Sequence, residues 1–152
     1  MKTSGILSAL ALVGISAGQT PPGFEPAVEQ KLEVTFGTKS VTPGLAFAKT
    51  ETSRQPTIGL SIPANGTYVW MLIVIRDFKA SGGASADGVS TLKSTATGPV
   101  AWFAPAPQPE NPPHPHRYTN LLWEQPENWQ IPSAANQMLQ SQKTGFSVPK
   151  FI

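Results

Sequence analysis

The chain has 152 residues, 39% of them hydrophobic and 13% charged, and its formal net charge is +2. One domain with a real core fits this length, and so thin a charge density supplies no basic stripe for nucleic acid. Cysteine is absent and histidine occurs only twice, which excludes disulfides and thiolate sites and leaves no expectation of a dedicated metal cage or cofactor.

Residues 1–18 read as an export signal. Lys2 gives a positive start, the apolar stretch from Ile6 to Ile15 is too short to span a bilayer, and Ser16-Ala17-Gly18 offers small residues for cleavage. Composition changes sharply at Gln19-Thr20-Pro21-Pro22-Gly23, so residues 19–152 are expected to form one secreted domain. Outside the cell, Asn65-Gly66-Thr67 is a possible N-glycosylation acceptor, and Asn65-Gly66 reads equally well as a hairpin turn needing positive φ.

In the mature chain Leu32, Val34 and Phe36 alternate with polar residues, the period-2 signature of a half-buried strand. Pro43-Gly44 then turns the chain. Ile58, Leu60 and Ile62 give a second alternation, and the unbroken apolar run Tyr68–Ile75 predicts one central strand covered on both faces. Residues 80–98, rich in Gly, Ser, Thr and Ala, predict a long surface connection. Seven prolines between Pro99 and Pro115 then stiffen a loop that carries both histidines, His114 and His116, toward a strand expected over Tyr118–Trp123. The one predicted helix is Ser133–Ser141, capped by Ser133 and stopped near Gly145.

From about Pro22 onward the order of these signals resembles the phosphatidylethanolamine-binding protein family, nearest to its secreted fungal-type members. The segments that carry the likeness are Leu32-Glu-Val-Thr-Phe36, Val41-Thr-Pro-Gly44, Gln55-Pro-Thr-Ile58, Tyr68–Asp77, Trp102-Phe-Ala-Pro-Ala-Pro-Gln-Pro109, and above all His116-Arg-Tyr118 followed by Leu121-Leu-Trp-Glu-Gln-Pro126. The resemblance implies a mostly β fold with a large antiparallel sheet, a smaller sheet and one or two short helices. It also implies a small pocket for phosphate or a phospholipid head group, walled by His116, by Trp102 in the place of a tyrosine, and by prolines around Pro107. Asp77 would supply a pocket carboxylate, and Tyr118 would share a face with His116, leaving Arg117 on the other. An imidazole N–H suits a phosphate oxygen in any case.

The chain departs from the family pattern in three places. One aspartate, in Ile75-Arg76-Asp77-Phe78-Lys79, stands where the family carries two, and the family's His-Trp pair has no counterpart, although Lys93 lies in the following segment. After Phe146-Ser-Val-Pro-Lys-Phe151 the sequence ends at Ile152, where the family continues with further helix and strand, so a shortened C-terminal element is expected. Each residue also has a plainer role: Asp77 as a partner for Arg76 or Arg117, His114 as a solvated side chain, His116 as a satisfied strand-end histidine, and the four tryptophans as core.

No Gly-x-Ser-x-Gly elbow, phosphate-cradling loop or nucleophile opposite a histidine is present, so the expected function is not enzymatic. The sequence predicts a secreted binding module for a small anionic ligand or phospholipid head group, without nucleic-acid partners or a transmembrane span. The alternatives are an interaction module that inhibits a secreted serine carboxypeptidase or other protease, and a degenerate family-like protein with no working pocket.

Overall fold

Alternation over Glu33-Val34-Thr35-Phe36 produces the first strand, whose inward residue Val34 is buried while its neighbours are half-buried. A computed structural model describes residues 20, 23–70, 75–99 and 102–141, and in them the chain is mostly β, with very little helix. The strands are β1 (Glu33–Phe36), β2 (Lys39–Ser40), β3 (Thr57–Leu60), β4 (Tyr68–Trp70), β5 (Ile75–Ala80), β6 (Ser90–Lys93) and β7 (Leu122–Glu124), followed by α1 (Ser133–Ser141). All pairings are antiparallel, and the seven strands form one sheet in the order β2-β1-β3-β6-β5-β4-β7. A separate smaller sheet is not found among the described residues.

The core is a row that crosses the sheet. Val34 stands opposite Ile58, and Ile58 opposite Leu92, each no more than 3% exposed. Tyr68, Trp70, Ile75 and Phe78 extend this cluster, with Trp70 fully buried and edge-on to Phe78 at 6.0 Å. Trp70 Nε1 donates to Asn120 Oδ1 at 3.3 Å, so the largest core side chain keeps its polar atom partnered. Val69, on the other face of β4, packs with Leu121, Trp123, Trp129 and Leu139 of α1. The expected burial on both faces therefore holds for β4 itself.

Three sequence expectations need correction. The apolar run from Tyr68 is not a single strand: Tyr68 pairs with Phe78 and Trp70 with Ile75, so β4 and β5 are antiparallel partners. Residues 80–98 are not all surface connection, because β6 lies within them and occupies an interior place in the sheet between β3 and β5. Leu92, 2% exposed, supplies the anchor that the surrounding Gly, Ser and Thr disguised. Asn65-Gly66 is not a hairpin turn, since β3 and β4 are not neighbours and neither residue has positive φ. The hairpin that does occur so early is β1–β2, turned at Gly37 with φ +61°.

The remaining differences concern ends. Ile62 lies beyond β3 and is exposed, and the strand expected over Tyr118–Trp123 begins at Leu122, leaving Tyr118 half-exposed outside it. Helix α1 has the predicted span, with its first bond running from Asn136 N–H to the Pro132 carbonyl at 2.9 Å. The proposed signal at 1–18, Gly145 and the C-terminal segment after residue 141 fall outside the described residues. No helix among the described residues is long and apolar enough to cross a membrane.

Candidate functional site

β5 carries an irregularity that builds a site. Between the pairs Tyr68–Phe78 and Trp70–Ile75, two residues of β5 face one of β4, so Arg76 and Asp77 form a bulge. Asp77 adopts φ +61°, a left-handed conformation that Asp and Asn tolerate better than other side chains. Ser94 Oγ donates to the Arg76 carbonyl at 2.6 Å and holds the bulge from the β6 side.

Gln125 holds it from the other side. Its own N–H donates to the Thr67 carbonyl at 2.7 Å, continuing the β4–β7 ladder past Glu124. So anchored, the side-chain amide closes a two-bond ring with Asp77: Asp77 N–H donates to Gln125 Oε1 at 2.8 Å, and Gln125 Nε2 donates to Asp77 Oδ1 at 2.7 Å. Arg76 Nε lies 3.4 Å from Asp77 Oδ2, one of the plainer partnerships expected from sequence. An open concavity of about 320 Å³ lies here, lined by Thr67, Asp77, Lys79, Gln125, Pro126, Glu127 and Asn128. Asn128 has φ +57°, so both described non-glycine residues with positive φ line the same space. Backbone in such regions persists where its surroundings over-determine it, and it clusters at functional sites.

The cations of this region are arranged unusually. Lys79 of β5 is the direct cross-strand partner of Lys93 of β6, and both are exposed. Like charges placed opposite each other destabilise a sheet. Among the described residues neither lysine forms an ion pair with an acid. Lys79 lines the concavity at Asp77, and Lys93 lines a second of about 220 Å³ whose wall includes the polar side chains of Gln55, Thr57, Thr91 and Ser94. The lysine pair thus forms a cationic ridge between two polar hollows.

The other residues expected from sequence are placed elsewhere. His116 Nε2 lies 3.1 Å from Glu110 Oε2, and His114 Nδ1 lies 2.9 Å from that same oxygen. The two rings stack with centroids 5.2 Å apart and planes 13° from parallel. His114 is therefore a paired side chain, not the merely solvated one expected. Trp102 stacks on Trp70 at 5.9 Å and tilts against Phe36 at 6.1 Å, so its ring joins the core. Its buried Nε1 has no hydrogen-bond partner among the described residues. Tyr118 is half-exposed, Pro107 lies in the loop between Trp102 and Glu110, and Asn65 is exposed between β3 and β4, where a glycan would meet solvent. Of the five ligand-binding candidates, only Asp77 lines the concavity; His116, Trp102, Pro107 and Tyr118 do not.

Sequence reasoning passed over Gln125, Glu110 and the pairing of Lys79 with Lys93. Glu110 carried no sequence signal, because four-residue spacing brings side chains together only in a helix and this loop is not one. The lysine pairing depended on recognising β6, which the polar composition hid.

No family model matches the chain, and no solved structure matches it. The chain is similar to the phomoidride biosynthesis cluster protein N of Talaromyces stipitatus, with 28% identity over an alignment 178 positions long that covers 97% of this chain and 88% of that protein. The similarity therefore runs along nearly the whole of both chains.

Proposed function

We propose that this chain is an exported, non-enzymatic binding module for a small anionic ligand, bearing a phosphate or phospholipid head group or another anionic group. The observation that carries the proposal is the Lys79–Lys93 pair, opposed across β5 and β6 without an acidic ion-pair partner among the described residues, each lysine lining a concavity. An anion between or beside the two ammonium groups converts their mutual repulsion into attraction, and a loop or strand lysine binds phosphate as a point charge. Asp77 and Glu127 in the same hollow suit a ligand that also carries a cationic end, as a phosphorylethanolamine group does. The resemblance to the phosphatidylethanolamine-binding protein family points to the same ligand class, with the lysine ridge in place of the imidazole contact. Export rests on the sequence pattern of residues 1–18.

Thermal unfolding with inorganic phosphate and with phosphorylethanolamine tests this reading. A ligand at ten times its Kd stabilises by about 1.4 kcal/mol, which for a chain of this size raises Tm by about 3–5 °C. Lys79→Gln should abolish the rise, whereas no rise in the unaltered protein at millimolar ligand would count against the proposal.

A second reading follows from the similar Talaromyces stipitatus protein, whose name places it in a biosynthesis cluster. In that reading the anion is an intermediate of small-molecule biosynthesis. A Tm response to carboxylate-bearing intermediates, with none to phosphate, would favour it.

A further inference from the structure

We propose that Glu110, His114 and His116 form a binding site for a divalent transition-metal ion of the zinc class, built into the proline-rich loop. The two histidines are the chain's full complement, and the structure directs both at one carboxylate oxygen, at 2.9 and 3.1 Å. One ligand atom from each of the three residues lies within 4.8 Å of the other two. Two ligands bound tetrahedrally to zinc at about 2.0–2.1 Å stand about 3.3 Å apart. The observed nitrogen–oxygen separations need open by only a few tenths of an ångström to admit the ion. Exposed side chains accommodate such a shift by small rotations.

The donor set also fits. Imidazole nitrogens and a carboxylate are borderline to hard ligands, suited to Zn²⁺, Cu²⁺ or Ni²⁺ and poorly matched to Mg²⁺ or Ca²⁺, which take oxygen shells. The ring stack presents Nδ1 of His114 and Nε2 of His116 to the same point, so the two imidazoles approach it side by side. With an ion bound, each coordinating nitrogen would offer its lone pair and carry its proton on the opposite ring nitrogen, in place of the contact to Glu110 Oε2. Proline at positions 112, 113 and 115 restricts the backbone between Glu110 and His116, so little chain entropy is lost when the ion binds. With three protein ligands on an exposed loop, a fourth position stays open to water or to an anionic donor from outside. Sequence alone gave no reason to expect this site, because two histidines are too few for a cage; the third ligand comes from an acid whose side chain only the loop's path brings back.

Isothermal titration of the full chain, free of any histidine tag, with Zn²⁺ in a non-chelating buffer tests the site. Saturable 1:1 binding is expected, with affinity weakened at least about 10- to 100-fold by His114→Ala, by His116→Ala and by Glu110→Gln, since loss of an outer-shell partner alone has that effect. Both imidazoles should show perturbed NMR resonances on zinc addition, and Mg²⁺ should leave them unmoved. All three side chains are solvent-exposed, so these variants retain the fold, which far-UV circular dichroism checks. Failure to saturate by about 1 mM zinc, or equal binding by the His114→Ala/His116→Ala double variant, would overturn the proposal. None of the three residues lines the concavities at Lys79 and Lys93, so this result and the anion test stand or fall separately.

Discussion

The concavity at Asp77 and the histidine loop both gather polar side chains, but they are held in opposite ways. At Asp77 the sheet does the positioning: a bulge in β5 re-aims the carboxylate, and Gln125, itself fixed by the β7 ladder, bonds to both backbone and side chain of the same residue. In the loop there is no ladder. Proline limits the dihedral angles, and one glutamate oxygen joins two rings that stack on each other. The contrast teaches that a ligand site on strands inherits its precision from neighbours far along the chain, whereas a site on a stiff loop can be assembled from seven consecutive residues.

That contrast can be broken at its shared foundation. Trp70 is fully buried, and Trp102, just ahead of the run that starts at Pro105, stacks on it. Trp70→Ala should destabilise the protein by about 3–5 kcal/mol in urea unfolding, the range for deleting a large buried ring. Below its lowered melting point the variant should still bind zinc, because the loop's ligands are local; loss of zinc binding in a folded variant would show that the loop depends on the core.

A smaller change sharpens the distinction. Gln125→Ala removes both bonds to Asp77, and hydrogen bonds to a charged group at a partly buried position make a loss of about 1–2 kcal/mol the expected result. The anion response should weaken with it while zinc affinity stays unchanged. Equal effects on both ligands would contradict the separation of the two regions.

The smallest effect is electrostatic and lies away from both. The Lys31 ammonium, 2.7 Å from Glu33, holds that carboxyl below the ordinary glutamate range against the opposing effect of partial burial, and the Ser61 hydroxyl assists. Lys39 and the Ala48 N–H likewise lower Glu51. A depressed carboxyl contributes stability above its unfolded pKa of about 4.3 and loses it as pH falls through the lower folded value. Between pH 5 and 3 the unaltered protein should therefore lose more stability than Glu33→Gln. The difference should stay under about 1 kcal/mol, as befits a surface pair, and urea midpoints at the two pH values measure it.

Sequence made the first half of the sheet legible because period-2 alternation and burial coincide there: Val34, Ile58 and Leu60 point inward as read. The helix was legible from composition, although Pro132 and not Ser133 stands at its cap position. What was hidden shares a physical cause, since local pattern does not encode where a chain turns back inside apolar sequence. Nothing in the run after Tyr68 signals the reversal that makes β4 and β5 partners, and with that strand misread the bulge at Asp77 was invisible. β6 was hidden by polar neighbours around a single anchor, Leu92, and its loss from the reading concealed the opposition of Lys79 and Lys93. The histidines drew attention correctly as a concentration of ionisable groups, but their joint partner Glu110 depended on how the loop folds back.

The account rests most heavily on the lysine ridge, and one thermal comparison bears on it directly. Lys79→Glu places opposite charges across β5 and β6, so without ligand it should melt slightly above the unaltered protein, and with phosphate its Tm should not move. A variant that melts lower without ligand and still gains stability from phosphate as the unaltered protein does would show that the two lysines neither repel each other nor hold the anion.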